Sequence, residues 1–191
     1  MEEIKIFQKF NPDEEKILRK KSKKVSIEEI KSEEIGNIIK KMWDFLLVQP
    51  DGAALAAPQI GHNLRIFIVN PNIFEAVDRR VPPIEDLVFI NPEIIKKSKK
   101  KEFMNEGCFS VRWFYGEVER HKNVTIEALN QNGEKKKWEA GGLLAQVFQH
   151  EIDHLDGILF SDKAKNIEKI SDEEKEKLEK EKEELIKKIK K

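Results

Sequence analysis

The 191 residues (22.3 kDa) suffice for one well-buried domain and not for two large ones. Charged side chains make up 38% of the chain against a usual share of about 25%, yet 36 basic and 36 acidic groups cancel, which excludes a global basic field for capturing nucleic acid or an anionic membrane. No apolar run approaches the roughly 18 residues that a membrane span needs.

The opening Met-Glu-Glu-Ile-Lys-Ile-Phe is too acidic, and too short in apolar stretch, for a signal or transit peptide. One cysteine, Cys108, cannot form an internal disulfide, so a cytoplasmic protein is expected. Ile35, Ile38, Ile39, Met42, Trp43, Leu46 and Leu47 follow helical spacing and predict a core-facing helix over 33–48, capped by Ser32 and stopped at Pro50-Asp51-Gly52. The runs 64–69 and 87–90 are β-type and each is expected to end at an Asn-Pro pair. Segments 122–130 and 134–140 flank Asn132-Gly133, a strong hairpin signal. Gly141-Gly142 then opens a second helix that runs through Leu155 and ends at Gly157. This order has no βαβ alternation and predicts an α+β fold.

Residues 163–191 differ from the rest, with 11 lysines and 9 acidic residues in 29 positions. They read as one charged helix with a thin apolar stripe of Ile167, Ile170, Leu178, Leu185 and Ile189, either lying on a body of residues 1–162 or protruding from it. Glu173/Lys177, Glu176/Lys180, Glu183/Lys187 and Glu184/Lys188 are i,i+4 pairs in the favourable order. A sharper reading makes it a docking helix, because Lys187, Lys188, Ile189, Lys190 and Lys191 suit a negatively charged partner such as ribosomal RNA.

The most informative stretch is His150-Glu151-Ile152-Asp153-His154 on the second helix. Histidines at i and i+4 lie one turn apart on one face, so both imidazoles can reach a single metal ion, and Glu151 sits close enough to touch a water on it. A catalytic site usually needs a third protein ligand. His62 and His121 fall in predicted loops, and Glu168 belongs to the solvated tail, so each is a weaker candidate than Cys108 beside Glu106-Gly107. Upstream, Gly52-Ala53-Ala54-Leu55-Ala56-Ala57-Pro58-Gln59 is a row of small residues that permits close backbone approach, and Gln59 supplies an amide donor for a developing oxyanion.

Together the segments Gly52–Gln59, Glu106–Ser110 and His150–His154 resemble, in order and type, the three motifs of the peptide deformylase family. The likeness covers most of residues 4–162 and implies antiparallel or mixed β-sheets packed around the helix that carries His150–His154, with a long C-terminal helix. It implies Cys108, His150 and His154 as metal ligands, Glu151 as acid/base residue, and Gln59 with the backbone N–H of Phe109 as holders of the formyl oxygen. Gly52, Ala53, Ala54 and Gly107 match positions beside the bound peptide, the backbones of Ala53 and Gly107 pairing with it as with an added strand. Val147 and Glu106 match positions at the methionine pocket, and Arg120 matches a basic residue near the peptide-binding edge.

The substrate implied is the N-formyl-methionyl end of a nascent polypeptide, with no DNA or membrane partner, a monomeric enzyme and bacterial-type translation. The resemblance implies Fe(II); one thiolate and two imidazoles also suit Zn, Ni or Co. Three departures stand out. Ala54 replaces the second glycine of its motif, Phe109 replaces leucine, and 111–116 lacks the usual proline while 74–86 is long. Competing readings are a zinc endopeptidase built on the same helix motif, which would not need Cys108, and a non-catalytic relative that binds nascent chains or ribosomes.

Overall fold

The structure is a computed structural model, and it describes residues 4–189. Met1, Glu2 and Glu3 of the opening stretch, Lys190 and Lys191 of the terminal lysine cluster, and the side chain of Ile189 lie outside what is described.

Polar side chains start the first helices. Asn11 accepts from the backbone of Asp13 and Glu14 ahead of α1 (Pro12–Leu18), and Ser26 forms a capping box with Glu29 over α2 (Ile27–Ile30). Ser32 accepts from the Ile35 N–H to start α3 (Glu33–Leu46), as its position predicts. Strands β1 (Ala54–Ala56) and β2 (Ile66–Val69) follow, then α4 (Asn72–Ala76), β3 (Val88–Lys97), β4 (Lys101–Gly107) and β5 (Phe114–His121). The chain ends with the hairpin β6 (Asn123–Leu129) and β7 (Lys135–Gly141), helix α5 (Gly142–Leu155), β8 (Lys165–Lys169) and α6 (Asp172–Ile189). The fold is α+β, as expected, and all described strand pairs are antiparallel.

A five-stranded sheet has the order β1-β2-β3-β6-β7, and a three-stranded sheet the order β4-β5-β8. The larger sheet is covered on both faces, which explains the unbroken apolar run of β2. Ile66 and Ile68 pack with Ile38, Ile39 and Met42 of α3, whereas Phe67 and Val69 face Phe148 and Ile152 of α5. Phe67 stacks on Phe89 at 4.6 Å between centroids, and Phe89 lies 5.1 Å from Phe148. Burial of a side chain such as Phe148 contributes roughly 1.5–3 kcal/mol. Because α5 also packs on β5, it is the element that joins the two sheets.

Two expectations are corrected. Strand β3 does not stop at Asn91-Pro92 but continues to Lys97 through a register shift between Ile90 and Glu93. Asn91 adopts φ 52°, and its side-chain amide bonds both the N–H and the carbonyl of Val25, while the proline that donates nothing sits in the irregularity. The second correction concerns 163–171, expected as the beginning of the tail helix. Residues 165–169 instead form β8, which fills the open edge of β5, and Gly116 leaves room there for Ala164 and Ile167. An edge with unpaired backbone groups outweighs the weak helical preference of five exposed residues.

Candidate active site

Glu106 and Gly107 end β4, and the extended Cys108 then leads into a short turn at Phe109–Val111. That turn brings the thiol under α5. Cys108 Sγ lies 3.1 Å from His154 Nε2, and the ligand atoms of Cys108, His150 and His154 all lie within 4.8 Å of one another. Burial pushes the Cys108 thiol up, but the facing His154 and His150 outweigh it and bring it down to about 5. His150 Nδ1 is 2.8 Å from Glu106 Oε2, which fixes the ring and leaves its other nitrogen for the cluster. Among the described residues this is the one such group of three, and His62, His121 and Glu168 stand outside it.

Glu106 is in turn held by Arg120 through two hydrogen bonds of 2.7 and 2.8 Å, and Arg120 reaches Asp153 at 2.5 Å. Burial raises the Glu106 pKa, but bonds from Arg120 and His150 outweigh it and bring the group down to about 2. Glu151 has the opposite fate. It is 4% exposed, its Oε2 has no hydrogen-bond partner, and burial pushes it up to about 7 in spite of the nearby histidines. Buried polar atoms are rarely left unpaired. His154 Nδ1 is also without a partner.

Gln59 comes from the far side. Its Oε1 accepts the Ala56 N–H at 2.9 Å, which turns Nε2 toward Cys108 Sγ (3.4 Å) and Ser110 Oγ (3.3 Å). A pocket of about 180 Å³ opens on Gln59, Cys108, His150 and Glu151, and Ala53, Ala54 and Gly107 also line it. Val147, one turn before Glu151, lines it together with Leu143 and Gln146.

Residues 7–170 match the family described as polypeptide deformylase. The chain belongs to that family. It is 43% identical over 150 residues to peptide deformylase 2 of Clostridium acetobutylicum, covering 78% of this chain and 89% of that one. The crystal structure of the Thermotoga maritima peptide deformylase superposes with a TM-score of 0.72 at 32% identity, covering 86% and 99% of the two chains. A Met-Ala-Ser-bound peptide deformylase from Acinetobacter baumannii gives 0.71 at 30% identity, with 85% and 99% covered. The chain is thus a metal-dependent hydrolase that takes the formyl group off the N-terminus of newly made polypeptides. The three side chains fit a deformylase metal: a thiol brought down to about 5, two imidazoles on one face, and an unpartnered buried carboxyl beside them.

Most of the deformylase-like positions meet at this pocket, and three do not: His154 is buried, with its Nε2 on the Cys108 thiol, and Gly52 and Arg120 also stand back from the lining. Gly52 is buried between the lining residues Asp51 and Ala53, where a Cβ would lie 2.9 Å from Leu46 Cδ1, so packing against α3 favours the glycine. Arg120, expected near the peptide-binding edge, is 4% exposed behind Glu106, because its guanidinium is taken up by the buried Glu106 and the half-buried Asp153. Glu106 does line the pocket, but its carboxylate is committed to Arg120 and His150. Gly107 is required by its cross-strand partner, since a Cβ would sit 2.5 Å from the Tyr115 ring.

Ala54 is harmless. It lies in β1 opposite Val69 and is absent from the positive-φ residues, so it needs no glycine. Ala54→Gly is expected to cost about 0.5–1 kcal/mol in chemical denaturation and leave turnover in place; a gain in stability would show that the alanine is strained. Asp51, Arg112, Trp113 and Tyr115, which the sequence did not single out as site residues, also line the pocket.

Proposed function

We propose that Cys108, His150 and His154 hold one divalent ion, Fe(II) by family resemblance, with Zn, Ni or Co able to occupy the same ligands. When bound, the ion supplies Lewis-acid polarisation of the formyl carbonyl and a water whose pKa falls toward about 7. Glu151 takes a proton from the attacking water and hands it to the departing amine. A carboxyl raised to about 7 by burial is matched to both halves of that exchange near neutral pH. The Gln59 amide and the Phe109 N–H hold the carbonyl oxygen as charge develops on it. The backbones of Ala53, Ala54 and Gly107 flank the peptide, and Val147 with the wall beside Glu106 receives the methionine side chain. Formate and a peptide with a free N-terminal methionine leave.

The observation that carries this reading is the unpartnered Glu151 carboxyl beside the Cys108–His150–His154 group. The same reading makes the enzyme a cytoplasmic monomer acting on nascent chains, without DNA or membrane partners. The exposed Lys187 and Lys188 on α6 support contact with ribosomal RNA. The catalytic unit takes in β8, and α6 is the charged segment that lies against it. Anaerobically prepared protein loaded with Fe(II) or Ni(II) is expected to release formate from a short formyl-Met peptide. Cleavage at an internal peptide bond, without formate, would point to an endopeptidase instead.

A further inference from the structure

Phe109, Arg112 and Trp113 each border two spaces. One is the catalytic pocket; the other is a groove closed by α6, which contributes Leu178, Glu179 and Lys182. The face that α6 turns to the body is marked by half-buried Lys175, Leu178, Lys182, Leu185 and Ile186, at helical spacing.

Trp113 adopts φ 73°, a left-handed conformation that a bulky side chain keeps only where its surroundings hold it. Its carbonyl accepts the Ile170 N–H at 2.9 Å, two residues ahead of α6. The Arg112 guanidinium lies 4.4 Å from its ring, and Lys175 Nζ of α6 lies 5.3 Å from it. Arg112 is itself tied to Asp51 by bonds of 2.7 and 3.2 Å. The turn at 112–113 is therefore fastened from the β1 side by Asp51 and from the C-terminal side by α6.

Position gives this arrangement a use. Two segments that line the pocket, 51–59 and 107–113, meet where Gln59 Nε2 lies 3.4 Å from Cys108 Sγ. The same segments meet again at the Asp51–Arg112 pair, so that pair, with Trp113 beside it, borders the pocket at a second crossing. A peptide lying along these segments with its formyl group at Cys108 carries the residues after methionine toward that second crossing. We propose that α6 braces Trp113 and Arg112 as the wall for the residues following the methionine, and so sets KM for longer peptides while taking no part in the chemistry. The proposal rests on the deformylase reading above.

The test compares formyl-Met-Ala-Ser with N-formylmethionine amide. Leu178→Asp, which touches neither substrate, is expected to raise KM for the tripeptide by about three- to tenfold with kcat unchanged and both constants for the amide unchanged. Calorimetric affinity for the product Met-Ala-Ser should fall by the same factor, and Leu178→Met should restore it. Trp113→Gly, which removes the wall itself, should raise the tripeptide KM at least as far. Lys175→Ala removes the cation over the ring together with an exposed ion pair to Glu179, is the milder change should Leu178→Asp fail to fold, and is expected to raise KM about twofold. Equal losses on both substrates, or an unchanged tripeptide KM in Leu178→Asp and Trp113→Gly, would overturn the brace. Wild-type protein that releases no formate from either substrate overturns the deformylase reading, and this proposal with it.

Discussion

Glu151→Ala is expected to lower formate release by about 10²–10⁴-fold while the protein still binds its metal. The side chain is all but buried, has one oxygen without a partner, and is raised to about 7, so it is neither a ligand of the cluster nor part of a folded network. A buried group without its hydrogen bond costs about 1–3 kcal/mol, which is tolerable where the chemistry uses it. The variant should therefore melt no lower than wild type by more than the small cavity it leaves. Cys108→Ser is the complement. It removes the thiolate, whose low pKa is set by His154 and His150, and should lose metal and turnover together. Metal content and formate release measured on both variants separate the two roles. Wild-type turnover in Glu151→Ala would remove that residue from the mechanism, and full activity in Cys108→Ser would favour an endopeptidase.

Glu106→Ala is expected to cost about 3–5 kcal/mol of folding stability, the usual penalty for removing one partner of a buried ion pair. Arg120 would keep only Asp153, itself shared with Lys163, for a guanidinium that is 4% exposed. The same substitution removes the acceptor at His150 Nδ1, so metal affinity should fall about 10–100-fold as the ring loses its orientation. Glu106→Gln, which keeps the shape and one acceptor, should recover part of both. Denaturant titration and metal competition read the two effects; a loss under about 1 kcal/mol would mean that Asp153 alone satisfies Arg120.

The elements legible in the sequence are those whose signals are local. Helix α3 follows from seven apolar positions, five of them buried in the helix, and the Ser32 cap, the β6–β7 hairpin from Asn132-Gly133, and α5 from its glycines and periodicity. The His150–His154 spacing likewise puts two imidazoles one turn apart whatever surrounds the helix, and the rings do lie 4.9 Å apart. β8 was not legible, because its partner edge on β5 lies about fifty residues away and its own residues are exposed and charged. Nor was the passage of β3 through Asn91-Pro92, which depends on Val25 accepting and donating to one asparagine side chain.

Periodicity, caps and motif spacing thus determined by themselves the main helices, the hairpin, the α+β class and two histidines able to share a metal, with Cys108 added by the family resemblance. Tertiary structure alone decided that Gln59 meets Cys108, that Arg120 serves Glu106 behind the pocket, and that α6 lies against Trp113. The division has a physical basis. Backbone hydrogen bonds and side-chain spacing within a helix or hairpin are set over a few residues, whereas a buried charge or an open sheet edge takes whichever partner the packed chain brings within about 3 Å.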